Sequence, residues 1–191
     1  MNATFIPVIQ QYKSTPNVEI ELRLGKVSRG TFDTNVGRES WSRIMDGLQK
    51  YDGWESVTDS HTTVYIKGDT RVIDDEKTGV SKCQKKTRVK KMDLSLKDQP
   101  FDVRLSVATE VPVKTAPSEF DDMRVKFRKS FLRKNLSIDM TRVTGNPDDP
   151  DSEEAERYEV EFEIVDTKAL KDDAIVENIL QKILDVLKLL A

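Results

Sequence analysis

Apolar and charged residues alternate one by one through most of this chain, a period-two pattern that β-strands with one buried face satisfy and helices do not. The alternation runs through residues 17–27 (NVEIELRLGKV), 62–68 (TTVYIKG), 70–75 (TRVIDD) and 82–94 (KCQKKTRVKKMDL). It continues through 101–111 (FDVRLSVATEV), 123–131 (MRVKFRKSF), 136–143 (LSIDMTRV) and 156–166 (ERYEVEFEIVD). That makes about eight strands, with WESV at 54–57 a candidate short ninth. Pro112, Pro117, Asp121-Asp122 and the acidic run GNPDDPDSEE at 145–154 mark loops, the last expected to be mobile. Helical spacing is confined to three places. In 38–51, Trp41, Ile44, Met45 and Leu48 share one face, and from Asp172 to Leu190 a broad apolar face follows a cap at Asp172 or Asp173. A shorter helix fits FIPVIQQYK near the start. Helices do not alternate with the strands, so repeating βαβ units are not expected and an antiparallel, mainly β (α+β) fold is.

The charged faces are segregated by strand. In ERYEVEFEI, Tyr158, Val160, Phe162 and Ile164 oppose Glu159, Glu161 and Glu163. Same-face neighbours on a strand lie only about 7 Å apart, so three carboxylates in a row repel unless something positive faces them. MRVKFRKSF supplies Arg124, Lys126 and Arg128 against Val125 and Phe127; NVEIELRLG offers Glu19 and Glu21 against Val18, Ile20, Leu22 and Leu24. LSIDMTRV sets Ser137, Asp139 and Thr141 apart from Leu136, Ile138 and Met140; FDVRLSVATEV does the same with Asp102, Arg104, Ser106 and Glu110. A sheet with one solvated face would satisfy each strand alone. Solvent faces intersperse signs, however, and this set reads as the facing walls of a polar cavity in a closed barrel of about eight strands, its apolar outside covered by the helices. Paired glutamates suit a hard cation such as Mg²⁺ or Mn²⁺, and arginines and lysines across from them suit phosphate oxygens. The ligand that meets both demands is a polyphosphate.

Composition narrows the chemistry. The chain has 191 residues and 37% hydrophobic content, enough for one domain over 1–191. Lys+Arg 31 against Asp+Glu 34 leaves a net charge of -3, which argues against a large nucleic-acid surface, although KCQKKTRVKK is locally basic. Cys83 alone excludes a disulfide framework, and with His61 the only histidine no histidine-based zinc site or conventional Ser-His-Asp triad stands out. Gly25-Lys26 lacks the rest of a phosphate-binding loop. The N-terminus has no basic segment ahead of an apolar one, and no apolar run is long enough for a membrane. An intracellular, non-secreted protein is expected.

The two glutamate motifs, VEIELRLG and YEVEFEI, together with RVKFR and SIDMT between them, resemble the metal-dependent RNA 5′-triphosphatases of fungi, protozoa and large DNA viruses, members of the triphosphate tunnel metalloenzymes. GKVSRGTFDTNVGRESWSRI is similar to the passage from first strand to helix in that family, and the compact size is similar to the single-domain enzymes of algal viruses. The resemblance spans residues 18–166 and implies a closed antiparallel tunnel. It implies hydrolysis of the γ-phosphate from 5′-triphosphate RNA, the first step of mRNA capping, and cleavage of free nucleoside triphosphates. It assigns Glu19, Glu21 and Glu163 to Mg²⁺ or Mn²⁺, and Glu159 and Glu161 to orienting basic side chains or water. Arg124, Lys126 and Arg128 would grip phosphates, and Asp139 and Thr141 match the following strand. Arg71, Lys85 or Lys86, and Glu110 match through weaker landmarks; Glu110 would position the attacking water. Ser137 stands where the fungal enzymes carry arginine.

The cysteine class of RNA triphosphatase, H-C-x5-R, does not fit, since Lys82 precedes Cys83 and Val89 takes the arginine position. The K-x-D-G motif of guanylyltransferases is absent, so a separate RNA guanylyltransferase would complete the cap. No segment reads as a dimer interface, and a monomer is favoured. Two other readings remain: a tunnel enzyme acting on inorganic or thiamine triphosphate, which tends to carry E-x-E-x-K where this chain has Arg23, and a non-catalytic barrel that binds nucleotides or polyphosphate.

Overall fold

The computed structural model describes residues 1–145 and 156–191; apart from Gly145, the acidic loop expected at 145–154 lies outside them. Helix α1 (Asn2–Tyr12) leads into strands β1 (Val18–Ser28) and β2 (Thr31–Asp33), and helix α2 (Arg38–Lys50) follows. Six strands come next: β3 (Ser56–Lys67), β4 (Thr70–Asp75), β5 (Ser81–Leu94), β6 (Asp102–Pro112), β7 (Asp122–Arg133) and β8 (Leu136–Thr144). Strand β9 (Arg157–Ile164) and helix α3 (Asp173–Leu187) complete the order. The sheet runs β1-β6-β5-β4-β3-β7-β8-β9, and β9 pairs back onto β1, Glu21 opposite Glu163 and Arg23 opposite Glu161. Eight antiparallel strands thus close into a barrel, as the alternation predicts, with β2 hydrogen-bonded to the far end of β1. Closure leaves the eight strands of the wall no free edge to pair with another chain.

Two local expectations need correction. WESV is not a separate strand: its end and TTVYIK belong to β3, which pairs with β7 from Ser56↔Leu132 to Ile66↔Asp122. The intervening polar run TDSHTT hides the continuity, because a strand polar on both faces has no period to read. The short β2 was not anticipated.

The outer surface divides into two halves. On β1, β6, β8 and β9 the outward side chains form the core with α1, α2 and α3; Ile20, Leu22, Leu105, Met140, Phe162, Phe5 and Leu180 are essentially inaccessible. Asp172 starts α3 by accepting a hydrogen bond from the Ile175 amide at 3.0 Å, satisfying a donor the helix leaves free. On the other half no helix among the described residues covers the wall, and Val57, Met123 and Phe127 are exposed. The expectation that helices cover the whole apolar exterior therefore holds for half of it. Phe127 shields itself locally, with the His61 ring stacked at 4.2 Å and the Arg142 guanidinium at 4.7 Å.

Gly25, near the end of β1, is a point of close backbone approach. A Cβ there would stand 2.2 Å from the Asp33 carbonyl oxygen and 2.4 Å from the Phe32 ring, so only glycine lets the β1–β2 ribbon fold over this end of the barrel. Phe32 thereby comes under the Arg104 guanidinium at 4.5 Å. Among the described residues, no helix is long and apolar enough to cross a membrane.

Candidate functional site

The register decides which charges meet inside the barrel. Arg128 on β7 stands opposite Thr141 on β8, and Thr141 opposite Glu159 on β9; one step along, Asp139 faces Glu161, and Ser137 faces Glu163. Across the closing seam Glu161 meets Arg23 and Glu163 meets Glu21. On β5 and β6, Lys86 lies opposite Glu110 and Lys91 opposite Ser106. Period two carries these side chains to one side of each strand, with a bulge in β5 between Lys86 and Lys91, so the acidic and basic strands face each other across the interior.

At the centre is a salt-bridge network. Glu161 is nearly inaccessible and bridges two arginines, one carboxylate oxygen 2.6 Å from Arg23 Nη2 and the other accepting from Arg128 Nη2 at 2.6 Å. Burial alone would raise its pKa, but Arg23 and Arg128 overcome that and hold it at about 2. Arg23 also donates from Nε to Glu21 at 3.1 Å and lies 3.7 Å from Glu159. Arg128 also donates to Asp139 and to the Thr141 hydroxyl, both at 3.0 Å. Both guanidiniums are held above their ordinary pKa by these carboxylates in spite of burial. Ser137, where an arginine was the family expectation, donates its hydroxyl to Asp139 at 2.6 Å. Two of the three carboxylates of β9, Glu159 and Glu161, are thus answered by Arg23 and Arg128, while Glu163 has no cation within salt-bridge distance among the described residues.

Above this network lies a cavity of about 260 Å³, lined by Arg23, Arg71, Lys86, Arg88, Lys91, Arg104, Arg124 and Lys126 against Glu21 and Glu159. Arg124 pairs with Asp122 at 2.8 Å, Arg104 pairs with Asp93 at 2.6 Å, and Lys86 contacts Glu19 and lies 3.2 Å from Glu110. Among the described residues, Arg71, Arg88, Lys91 and Lys126 have no carboxylate within salt-bridge distance. Burial lowers the pKa of Lys126; the Glu161 charge pulls against it and the repulsion of Arg128 adds to it. A desolvated ammonium with no paired carboxylate is costly, and an anionic ligand in the cavity would offset that cost.

The opposite need appears at the carboxylates of β1 and β9. Burial raises Glu19 to about 7, the Glu21 charge adding to it against Lys86. Burial raises Glu163 to about 7 as well, with Asp139 adding to it. Glu19, Glu21 and Glu163 sit on neighbouring strands facing the interior, a donor set of the oxygen chemistry that hard cations take. Among the described residues no three His, Cys, Asp or Glu side chains form a ready-made cage, since Glu19 is turned to Lys86 and Glu21 to Arg23. The chemistry of the set fits a divalent cation; the cage would close only as those two glutamates leave their present partners.

Most residues singled out in the sequence come together here. Lys85 does not: it lies on the outer face, 3.1 Å from Asp69, because it is out of phase with Lys86. The basic strand also splits by role, with Arg124 at the cavity rim, Lys126 within it and Arg128 turned into the carboxylate network. Sequence reasoning missed Arg23 as a site residue, although it continues the Glu19-Glu21 alternation. It also missed Arg88 and Lys91, whose parity is broken by a β-bulge between Arg88 and Lys90, and Thr34, which donates to Glu159 at 2.9 Å from a segment with no period.

Comparisons with known proteins point the same way. Residues 52–185 match the family model for "mRNA capping enzyme, beta chain". The mRNA-capping enzyme subunit beta of Schizosaccharomyces pombe is 35% identical over 95 residues, 48% of this chain and 30% of the relative. The chain spans about a third of the length of the curated relatives it matches. Among solved structures, the S. pombe Pct1 RNA triphosphatase superposes with a TM-score of 0.82 at 18% identity, over 97% of this chain and 92% of Pct1. The Mimivirus capping enzyme triphosphatase gives 0.68 at 15% identity, over 98% and 96%. At these identities the two structures establish a common fold.

Proposed function

Because the chain belongs to the mRNA capping enzyme beta chain family, we propose that it removes the γ-phosphate from 5′-triphosphate RNA, leaving a 5′-diphosphate end for capping. The observation that carries the reading is Lys126, an ammonium desolvated in the tunnel with no carboxylate at salt-bridge distance among the described residues. Together with Arg71 and Arg124 it provides cations where phosphate oxygens would lie. The β- and γ-phosphate oxygens bind along these side chains, and negative charge that builds during displacement is met by dipoles and cations already in place. Arg23 and Arg128 act indirectly: locked to Glu159, Glu161 and Asp139, they fix the floor from which Lys126 projects. Glu110 orients the attacking water and takes its proton.

Glu19, Glu21 and Glu163 would hold Mg²⁺ or Mn²⁺, which when bound offsets charge on phosphate oxygens. No covalent enzyme intermediate is required, so Cys83, on the outer side of β5 with its thiol 3.9 Å from the Thr115 carbonyl, is not needed. Free nucleoside triphosphates are expected as secondary substrates, and a separate RNA guanylyltransferase would use the diphosphate end. The test is end-group analysis of RNA carrying a γ-labelled 5′-triphosphate. Metal-dependent release of inorganic phosphate with a diphosphate-ended product, lost in Glu19→Ala and Glu161→Ala, is expected. Pyrophosphate release, or phosphate release untouched by chelator, would overturn it.

A further inference from the structure

The β-bulge in β5 has a consequence for substrate choice. Up to Arg88 the even-numbered residues face the interior, with Lys86 opposite Glu110 and Arg88 opposite Ala108. Beyond the bulge the register restarts with Lys90 opposite Val107 and Lys91 opposite Ser106, so the odd-numbered residues turn inward. Val89, the extra residue, is left exposed. A regular strand would have put Lys90 and Met92 on the inner face; the bulge replaces them with Lys91 and Asp93. Asp93 is used at once, pairing with Arg104 through two hydrogen bonds of 2.6 and 2.9 Å. Lys91 is not used, and neither is Arg88: among the described residues no carboxylate lies within salt-bridge distance of either. Bulges re-aim side chains in this way next to binding sites.

Both side chains line the cavity and are nevertheless solvent-exposed, so they stand at its mouth, whereas Lys86 and Lys126 are half-buried deeper in. A triphosphate held by Lys126 and Arg71 would leave its nucleoside and the following chain at that mouth. Arg88 and Lys91 lie opposite Ala108 and Ser106, two residues apart on β6 and so roughly 7 Å along the strand, which is enough for the two cations to meet different phosphates of one strand. We propose that Arg88 and Lys91 form a mouth subsite for the phosphodiester backbone of the first nucleotides of RNA, and that this subsite favours RNA over nucleoside triphosphates or tripolyphosphate. The proposal rests on the triphosphatase reading for the direction of the chain and adds the part of the substrate beyond the triphosphate.

The variants are Arg88→Ala, Lys91→Ala and the pair. Two readouts separate this subsite from the triphosphate site. In steady-state hydrolysis the double variant should raise KM for 5′-triphosphate RNA roughly tenfold while kcat, and KM for ATP, stay within about twofold. In fluorescence anisotropy with a 5′-diphosphate RNA oligomer and no turnover, the wild type should bind the oligomer more tightly than ADP. The salt dependence of that binding should drop by about 0.7 in log–log slope for each cation removed. Equal losses on RNA and ATP would move the pair into the triphosphate site and overturn the proposal, as would RNA binding unchanged in the double variant. If the wild type hydrolyses no triphosphate, the triphosphatase reading fails, and the anisotropy comparison still decides the subsite. Thermal unfolding of the variants should match the wild type, because neither cation has a carboxylate partner to lose.

Discussion

Replacing Glu161 by glutamine tests whether the central network holds the barrel as the distances indicate. The carboxylate is held at about 2 against an ordinary value of 4.5, so its ionised form is favoured in the folded protein by about 3 kcal/mol. Glutamine keeps the shape but offers one carbonyl oxygen and one NH₂ where two guanidiniums each lie at 2.6 Å. One arginine must then face a donor. Arg23 retains Glu21 and Glu159, and Arg128 retains Asp139, so the loss should fall near the low end of that for breaking a buried pair, about 3 kcal/mol at pH 7. The pH dependence has a definite sign. A carboxylate whose folded pKa is depressed stabilises fully above its unfolded value and loses that contribution as pH falls through the folded one. The gap between wild type and Glu161→Gln in urea unfolding should therefore be constant above about pH 5 and close between 4.5 and 2. A gap below about 1 kcal/mol at pH 7, or one that does not narrow on acidification, would refute the network as drawn.

Lys126→Met should leave unfolding stability unchanged or raise it by about 1 kcal/mol, since it removes a desolvated charge without a paired carboxylate, while tripolyphosphate binding measured by calorimetry falls about a hundredfold. Gly25→Ala should lower stability by about 1–3 kcal/mol, read as a drop in Tm, because the new methyl meets the Asp33 carbonyl and the Phe32 ring. Asp172→Ala should cost about 1 kcal/mol through loss of the α3 cap, read by urea unfolding. Glu19 and Glu163 lie at about 7, so at pH 6.5 a large fraction of each is protonated. Titration with Mg²⁺ or Mn²⁺ should then release protons, detected as a buffer-dependent heat, with tighter binding as pH rises.

How far the fold could be read from the sequence depended on the contrast between strand faces. β1, β6, β7, β8 and β9 alternate apolar with charged residues, and for them both existence and facing were legible, though not which glutamate meets which arginine. β3 was cut in two because its middle, TDSHTT, is polar on both faces, and that is possible only because no helix covers that part of the wall. β2 is three residues long and is held by the fold-over at Gly25, a contact between backbone and ring that no periodicity announces. The site divides along the same line. Glu19, Glu21, Glu159, Glu161 and Glu163 keep strict parity and fall inside, and so do Lys126 and Arg128. Lys85 and Lys86 could not be separated until the pairing with β6 fixed the phase. Arg88 and Lys91 were hidden by a single inserted residue, which no alternation rule can locate without its partner strand. That Arg128 faces carboxylates rather than the cavity depended on register across three strands, information that lies between segments and not within one.

On the proposed reading, a tunnel of cations with Lys126 at its heart holds a triphosphate for metal-assisted hydrolysis. The most direct measurement compares phosphate release from 5′-triphosphate RNA by the wild type and by Lys126→Met, at saturating Mg²⁺ or Mn²⁺ and with matched unfolding curves for the two proteins. Metal-dependent turnover is expected in the wild type, with a loss of about a hundredfold or more in kcat/KM for the variant. Turnover by a folded Lys126→Met equal to that of the wild type would contradict it.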